Sequence, residues 1–503
     1  MSSRTTPHAR LLAAAAAAAL AACAPGGDRA PGDEGHLRVG RIEFTPCSLS
    51  AGAESVEAQC ASFSVPEDHD APEGRRIDLA LALLPAKGQV EPDPVVMIAG
   101  GPGQSALETY PQVEAAFRDV NRSRHVLLVD ARGTGGSNPL HCRDPEGDAA
   151  FAPDDDASPQ AMLAFAERCR DALSERADLR FYSTIDHVRD LERVREALEA
   201  PQLNLVGISY GTRVAQLFAR TFPASTRTVV LDGVAPMEMV LGQEHARNLE
   251  AALEDQFARC RAEPACVENL GDPSRQLPAV RAALEAGGIP PVTYRDPVSG
   301  AWLEETPSFN HLAWLLRMYA YQPAAAATLP LLLHDASEGR YGPLLAQSRL
   351  LASSVGESIA HGMQLSVSCT EDAPDLVAAP EDAGSVIGNQ IVDLLLTQCQ
   401  AWPTRPRAED FRTPLAGEVP LLAISGEYDP VTPPRYGDDV VRHLPRGRHL
   451  VAPGQGHNVI GAGCMPKLFA QFVERADAEG IDASCLDQLA ASPPFAGHYG
   501  WEP

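Results

Sequence analysis

The chain has 503 residues, 45 % of them hydrophobic and 21 % charged, and a formal net charge of −26. Length and apolar content suffice for a large core and for about two to four folded units. The acidic balance makes a surface that repels nucleic acid and anionic lipid headgroups, so no nucleic-acid partner is expected.

The first residues read as a leader rather than as part of the fold. Arg4 and Arg10 precede "LLAAAAAAALAA", and Cys23 follows. A charged start, a short apolar stretch and small residues before a cleavage point form a secretory signal. The stretch is shorter than the about 20 residues a bilayer span needs. The competing reading is an alanine-rich helix of the mature protein. "LAAC" (residues 20–23) resembles the lipobox of bacterial lipoproteins. That resemblance implies cleavage before Cys23, acylation of its sulfur and new amine, and stable anchoring by several chains. The expected limits are a signal peptide over 1–22 and a flexible tether over 23–36, where "APGGDRAPGDEGH" is rich in Pro, Gly and charge. The chain is therefore expected to be exported and held at the bacterial cell envelope, in the outer membrane and periplasm or at the cell surface. Ala24 after the lipidated cysteine favours the outer membrane for a Gram-negative source.

Of the 11 cysteines, Cys23 is reserved for lipid, which leaves ten: Cys47, Cys60, Cys142, Cys169, Cys260, Cys266, Cys369, Cys399, Cys464 and Cys485. An even number in an exported chain is expected to pair completely. Sequence does not settle connectivity; nearest-neighbour pairing is the expectation because each successive pair closes a short loop. A metal site is the rival reading, but no C-x-x-C or H-x-x-x-H cluster supports one, and neither a metal nor another cofactor is expected.

Taken in chain order, short apolar runs alternate with helical patterns. "IDLALALLPA" (77–86), "PVVMIAG" (94–100), "HVLLVDARG" (125–133), "LNLVG" (203–207) and "RTVVLDG" (227–233) read as strands. "STIDHVRDLERVREALEA" (183–200) has helical spacing with charge on one face. Such alternation argues for an α/β fold, a mostly parallel sheet with helices on both faces. From about 238 to 415 the pattern turns helix-rich and proline-broken, as in "NHLAWLLRMYAYQP" (310–323). Strand patterns return with "VPLLAISG" (419–426) and "RHLVAPG" (448–454). The expected organisation is a core over 37–237, an inserted helical cap over 238–415, and the rest of the core over 416–503. An independent middle domain is the alternative; the later return to strands favours insertion.

The chemistry centres on "GISYG", with Ser209 between Gly207 and Gly211. A G-x-S-x-G turn between a strand and a helix exposes the serine oxygen above the sheet. "LNLVG" provides the strand and "TRVAQLFARTF" (212–222) the helix. A serine hydroxyl needs a base. "ISGEYDPVTPP" puts Asp429 just past one predicted strand, and "VAPGQGHN" puts His457 in a glycine-rich loop past another. His457 would take the serine proton, and Asp429 would hold its tautomer and stabilise the imidazolium. "IAGGPGQS" (98–105) offers backbone donors; the amides of Gly101 and Tyr210 are the expected oxyanion hole. No Lys-Ser/Thr follows that glycine run, so it is no phosphate loop.

"GGPG", "DARGTGGS" (130–137), "GISYG", "GEYDPVTP" and "GQGH" stand in the order that resembles proline iminopeptidases and the exported tripeptidyl aminopeptidases. The resemblance implies the α/β-hydrolase fold, a Ser-His-Asp exopeptidase, peptide substrates and a characteristic carboxyl-terminal segment within 416–503. The anchor, the cysteines and "DPVTP" are more similar to the tripeptidyl aminopeptidase branch. Ala99 departs from the histidine that intracellular proline iminopeptidases carry there, which weakens transfer of proline specificity. The expected activity is thus a cell-envelope serine aminopeptidase. Its alternatives are a carboxylesterase or lipase with the same triad, and a lipid-anchored scaffold, which would require a broken triad. Dehalogenase and epoxide-hydrolase relatives place an aspartate where Ser209 stands. An aminopeptidase needs a carboxylate for the substrate's α-ammonium. "SVSCTEDAP" (366–374) in the cap offers Glu371, with Glu427 beside Asp429 as a second candidate. The competing reading of Glu371 is a solvated acidic loop.

Overall fold

The computed structural model describes residues 35–142, 158–355 and 358–501. The signal segment, Cys23 and the tether up to residue 34 lie outside the described residues.

Twelve strands are described: β1 (Leu37–Val39), β2 (Ile42–Ala51), β3 (Glu54–Pro66), β4 (Arg76–Leu84), β5 (Val95–Ile98), β6 (Val126–Val129), β7 (Leu203–Ile208), β8 (Thr226–Asp232), β9 (Val292–Arg295), β10 (Trp302–Glu305), β11 (Leu421–Gly426) and β12 (Gly447–Ala452). Ten of them form one sheet in the order β1-β2-β3-β4-β6-β5-β7-β8-β11-β12. Pairing is antiparallel from β1 to β6 and parallel from β6 through β12. This is the α/β-hydrolase architecture.

The parallel half follows from the apolar runs. Strands covered on both faces are hydrophobic at every position, because successive side chains point to opposite faces. Val96 and Ile98 of β5, Leu203 and Leu205 of β7, and Leu421 and Ala423 of β11 enter one core. The intervening Val95, Met97, Val206, Ile208, Leu422 and Ile424 enter the other. Each fully buried side chain of this size contributes about 1.5–3 kcal/mol, so one such strand secures its place on both faces at once.

The sequence reading starts its strands at 77, whereas the structure adds β1, β2 and β3 ahead of it. β2 (IEFTPCSLSA) is largely exposed, next to the edge strand β1, and includes a proline and several small polar residues, so its alternation is blurred. Long-range pairing with β4 through β3 makes it a strand.

Between β8 and β11, which are parallel neighbours, the chain runs through residues 233–420 and then re-enters the sheet. This excursion includes helices His245–Ala262, Phe309–Ala320 and His361–Glu371, together with the β9–β10 ribbon. It has its own apolar core, with Leu249, Phe257, Leu312, Leu316 and Leu333 among its members. The ribbon interrupts the helical pattern at 292–305.

The ten cysteines pair in sequence order: 47–60, 142–169, 260–266, 369–399 and 464–485. Cys369–Cys399 joins helix His361–Glu371 to the end of helix Gln390–Gln398, across a separation of 30 residues. Closing a loop of that length is worth about 3–4 kcal/mol on the chain-entropy account. Replacing both cysteines with serine should lower the denaturant midpoint accordingly, and thiol titration of the unfolded, unreduced parent should find none of these ten free.

Candidate active site

β7 ends at Ile208, and Ser209 turns the chain into helix Tyr210–Thr221 with φ 55° and ψ −121°. A side chain at positive φ is uncommon and costs about 1–3 kcal/mol, so its surroundings must impose it. Two features do so. The Ser209 amide donates to the Asp232 carbonyl at the end of β8, at 2.8 Å. The flanking glycines also allow backbone contact no other residue would permit. A Cβ on Gly207 would lie 2.4 Å from the Gly211 carbonyl oxygen, and one on Gly211 would lie 2.3 Å from that of Ile98. The end of β5 therefore rests against the turn. A Cβ on Gly100 would lie 3.1 Å from the Ser209 Cβ, which brings Gly101 into the neighbourhood of Ser209. The Tyr210 amide opens the helix and has no intrahelical acceptor. Both residues expected to serve the oxyanion thus lie next to the Ser209 turn.

Asp429 follows β11 and is buried. Its Oδ1 accepts the amides of Val431 and Thr432, both at 2.8 Å, and its Oδ2 accepts the Thr432 hydroxyl at 2.8 Å. His457 Nδ1 donates to the same Oδ2 at 2.7 Å. The base loop is held from the cap: the His457 amide donates to the Tyr321 carbonyl at 2.9 Å, and the Tyr321 ring packs edge-on at 5.2 Å. With Nδ1 committed to Asp429, Nε2 is the nitrogen left to serve as base. Burial alone would lower the His457 pKa, but the charge and hydrogen bond of Asp429, with the Asp232 charge, outweigh it and raise the pKa above 6.5. Burial opposes ionisation of Asp429 too, yet His457 and the two amides hold its carboxyl below the usual range.

Asp232 is the residue that sequence reasoning missed. Besides accepting from Ser209 through its carbonyl, it accepts the amides of Val459 and Ile460 on its carboxylate, at 2.8 and 3.0 Å. One residue thus joins the nucleophile turn to the loop of the base. Burial pushes its carboxyl up to about 6, against the pull of those two amides and of His457. A signal existed: a lone acid at the carboxyl end of "RTVVLD", at the sheet edge where α/β proteins build sites.

The expectation for Glu371 is corrected. It ends helix His361–Glu371 and is buried, so it is neither a solvated loop carboxylate nor one open to a substrate. Its Oε1 accepts the Thr184 amide and its Oε2 the Thr184 hydroxyl, both at 2.7 Å. Thr184 Oγ1 lies 2.7 Å from the Tyr210 hydroxyl, so this network supports the residue that follows Ser209. Arg213 of the nucleophile helix lies 3.6 Å from Glu371 and 3.0 Å from Asp372, and compensates their charge. Burial still raises Glu371 to about 7, with the Arg213 charge as the main opposing influence. Glu427 stays exposed, with Oε2 accepting the Gly454 amide at 2.7 Å. It steadies the loop that leads to His457.

Comparison with known proteins finds similar hydrolases. A family model described as alpha/beta hydrolase fold matches residues 93–269, and one described as TAP-like protein matches residues 384–485. The serine protease Hip1 of Mycobacterium tuberculosis is 27 % identical over 486 residues, covering 88 % of this chain and 91 % of that protein. Carboxylesterase B of the same species is 28 % identical over 430 residues, covering 78 % and 79 %. The tripeptidyl aminopeptidase of Streptomyces lividans is 32 % identical over 191 residues, covering 35 % of each chain. A solved proline iminopeptidase of Mycobacterium smegmatis aligns at 16 % identity, covering 84 % of this chain and 100 % of that one, with a TM-score of 0.39.

The raised His457 pKa fixes the sign of the pH dependence. The imidazole must be neutral to accept a proton, so kcat/KM should fall on the acid side with a midpoint above 6.5. Asp232→Asn removes a negative charge that favours the imidazolium and weakens the hold on residues 459 and 460. It should therefore move the acid limb to lower pH and reduce kcat by about 10- to 100-fold, as expected for a misplaced base. A lower rate with an unmoved limb would assign Asp232 a folding role alone.

Proposed function

We propose that this chain, an α/β-hydrolase-fold protein with a TAP-like carboxyl-terminal segment, is an exported serine aminopeptidase that releases one or a few residues from free peptide N-termini. The coarser statement, that it is a serine hydrolase, needs no proposal. The observation that carries the reading is the Asp429–His457 pair, held at 2.7 Å by elements on the same sheet edge as the strained Ser209 turn. The comparison with Hip1 and the tripeptidyl aminopeptidase supports peptide substrates.

In this mechanism Ser209 Oγ attacks the scissile carbonyl while His457 Nε2 takes its proton. The oxyanion accepts from the Gly101 and Tyr210 amides, which the protein orients before the charge develops. His457 then protonates the departing amine, and the acyl group stays on Ser209. Water, activated by the same imidazole, releases it. Asp429 stays ionised throughout and stabilises the imidazolium. Five disulfides suit an oxidising compartment outside the cytoplasm. An acylated Cys23 would hold the enzyme at the membrane through its tether, and Cys23→Ala would shift it to the soluble fraction.

A second reading is a carboxylesterase, which the likeness to carboxylesterase B over most of both chains favours. The two separate on substrates. Ser209→Ala should abolish turnover and labelling by a fluorophosphonate, and equal labelling of the variant would sink the nucleophile assignment. Wild-type protein should cleave free-amine peptides far faster than their N-acetylated forms. Turnover of simple esters with no peptide cleavage would establish the esterase instead.

A further inference from the structure

Helices of the excursion carry buried polar atoms that the reaction scheme leaves unused, and one of them, His245, stands close enough to His457 and Asp429 to feel their charges. Helix Phe309–Ala320 and its cap residue, which keeps helical geometry, set Trp314, Arg317 and Tyr321 at i, i+3 and i+7, one face of the helix. Tyr321 is the residue that packs on the His457 ring and accepts its amide. The second element is the start of helix His245–Ala262. Asn248 there donates to the Val431 carbonyl at 2.8 Å and so docks this helix onto the loop of Asp429. His245 stands one turn before Asn248. The two helices pack together in the cap core through Leu249, Leu253, Leu312 and Leu316.

Both ring nitrogens of His245 and the indole Nε1 of Trp314 are buried and have no hydrogen-bond partner. Among the described residues, Arg317 has no ion pair. Burial, and then the charges of Arg317 and His457, lower the His245 pKa to about 3, so its ring is neutral in any working range and offers one donor and one acceptor. Buried polar atoms are ordinarily paired, so donors left open beside a reacting centre call for an acceptor brought by the ligand. Two neutral N–H groups and an unpaired guanidinium are the donor set for a carboxylate.

The position says which part of the substrate supplies it. His457 hands its proton to the departing amine, so His245, which feels the charges of His457, Asp429 and Arg317, borders the leaving portion, with Arg317 beside it. We propose that His245, Trp314 and Arg317 form a subsite for a carboxylate on the leaving peptide. Two sources share that chemistry: the α-carboxylate of a short leaving portion, or an acidic side chain next to the scissile bond. The inference rests on the peptidase reading and narrows its substrates to short or acidic peptides.

The test uses mature protein and peptides that share one tripeptidyl acyl portion with a free amine. The leaving portions are alanine against alaninamide, and aspartyl-amide against asparaginyl-amide. Wild type should favour the carboxylate member of one pair by about tenfold or more in kcat/KM. Preference in the first pair identifies the α-carboxylate, and preference in the second the side chain. Arg317→Gln should bring that ratio close to one, Arg317→Lys should keep part of it, and His245→Phe should lower it. Because each ratio is internal to one preparation, partial loss of folded protein cancels. Inhibition of a neutral chromogenic ester by dialanine against dialaninamide gives the same comparison when no peptide is cleaved. Ratios near one for wild type in every comparison, or a ratio unchanged by Arg317→Gln, would overturn the subsite. Carboxylate-selective inhibition without any peptide cleavage would support the subsite and overturn the peptidase reading alone.

Discussion

The bond from the Ser209 amide to the Asp232 carbonyl, 2.8 Å long, holds together what the chain keeps far apart. It fixes a turn whose φ of 55° would relax in an unsupported loop. The carboxylate of the same Asp232 grips the amides of Val459 and Ile460, next to His457. Ser209 and the loop of His457 are thus referenced to one residue at the end of one central strand. Asp429 is referenced to the neighbouring strand, since β8 pairs with β11 and Asp429 lies in the loop that follows β11. Parallel strands that all end at one edge are the physical reason the three groups can meet.

The cap takes part in this geometry as well as covering it. Tyr321 accepts the His457 amide, Asn248 reaches the Val431 carbonyl, and Glu371 supports Thr184 and through it Tyr210. Three separate helices of the excursion therefore bear on the His457 loop, the Asp429 loop and, through Thr184, Tyr210. A shift of the cap would be felt at all three.

One cluster of buried charge lies against helix Tyr210–Thr221. Arg213 is fully buried yet faces Asp372 and Glu371. The attraction between opposite charges buried together offsets part of the desolvation cost that each would meet alone. The arrangement locks cap to core at the helix that begins beside Ser209. It also explains why an acid pair that looks like a ligand for an ammonium is already occupied.

Much of the fold was legible in the residues themselves. Continuous apolar runs marked the parallel strands because each is buried on both faces, and strand-turn-helix context marked Ser209. Asp429 and His457 were legible because each follows such a run in a turn-rich loop. Neighbouring cysteines pair as their short loops suggest. Where the partner lies far along the chain, only the tertiary structure could decide. β2 and β3 are strands because of their pairing, with little alternation of their own. Glu371 is committed to Thr184, 187 residues away in sequence, and Asp232 reaches Ile460 over 228. Local pattern records what a residue needs, burial or exposure, turn or strand. Which distant group meets that need depends on how the sheet brings strand ends together, and no short window of sequence contains that.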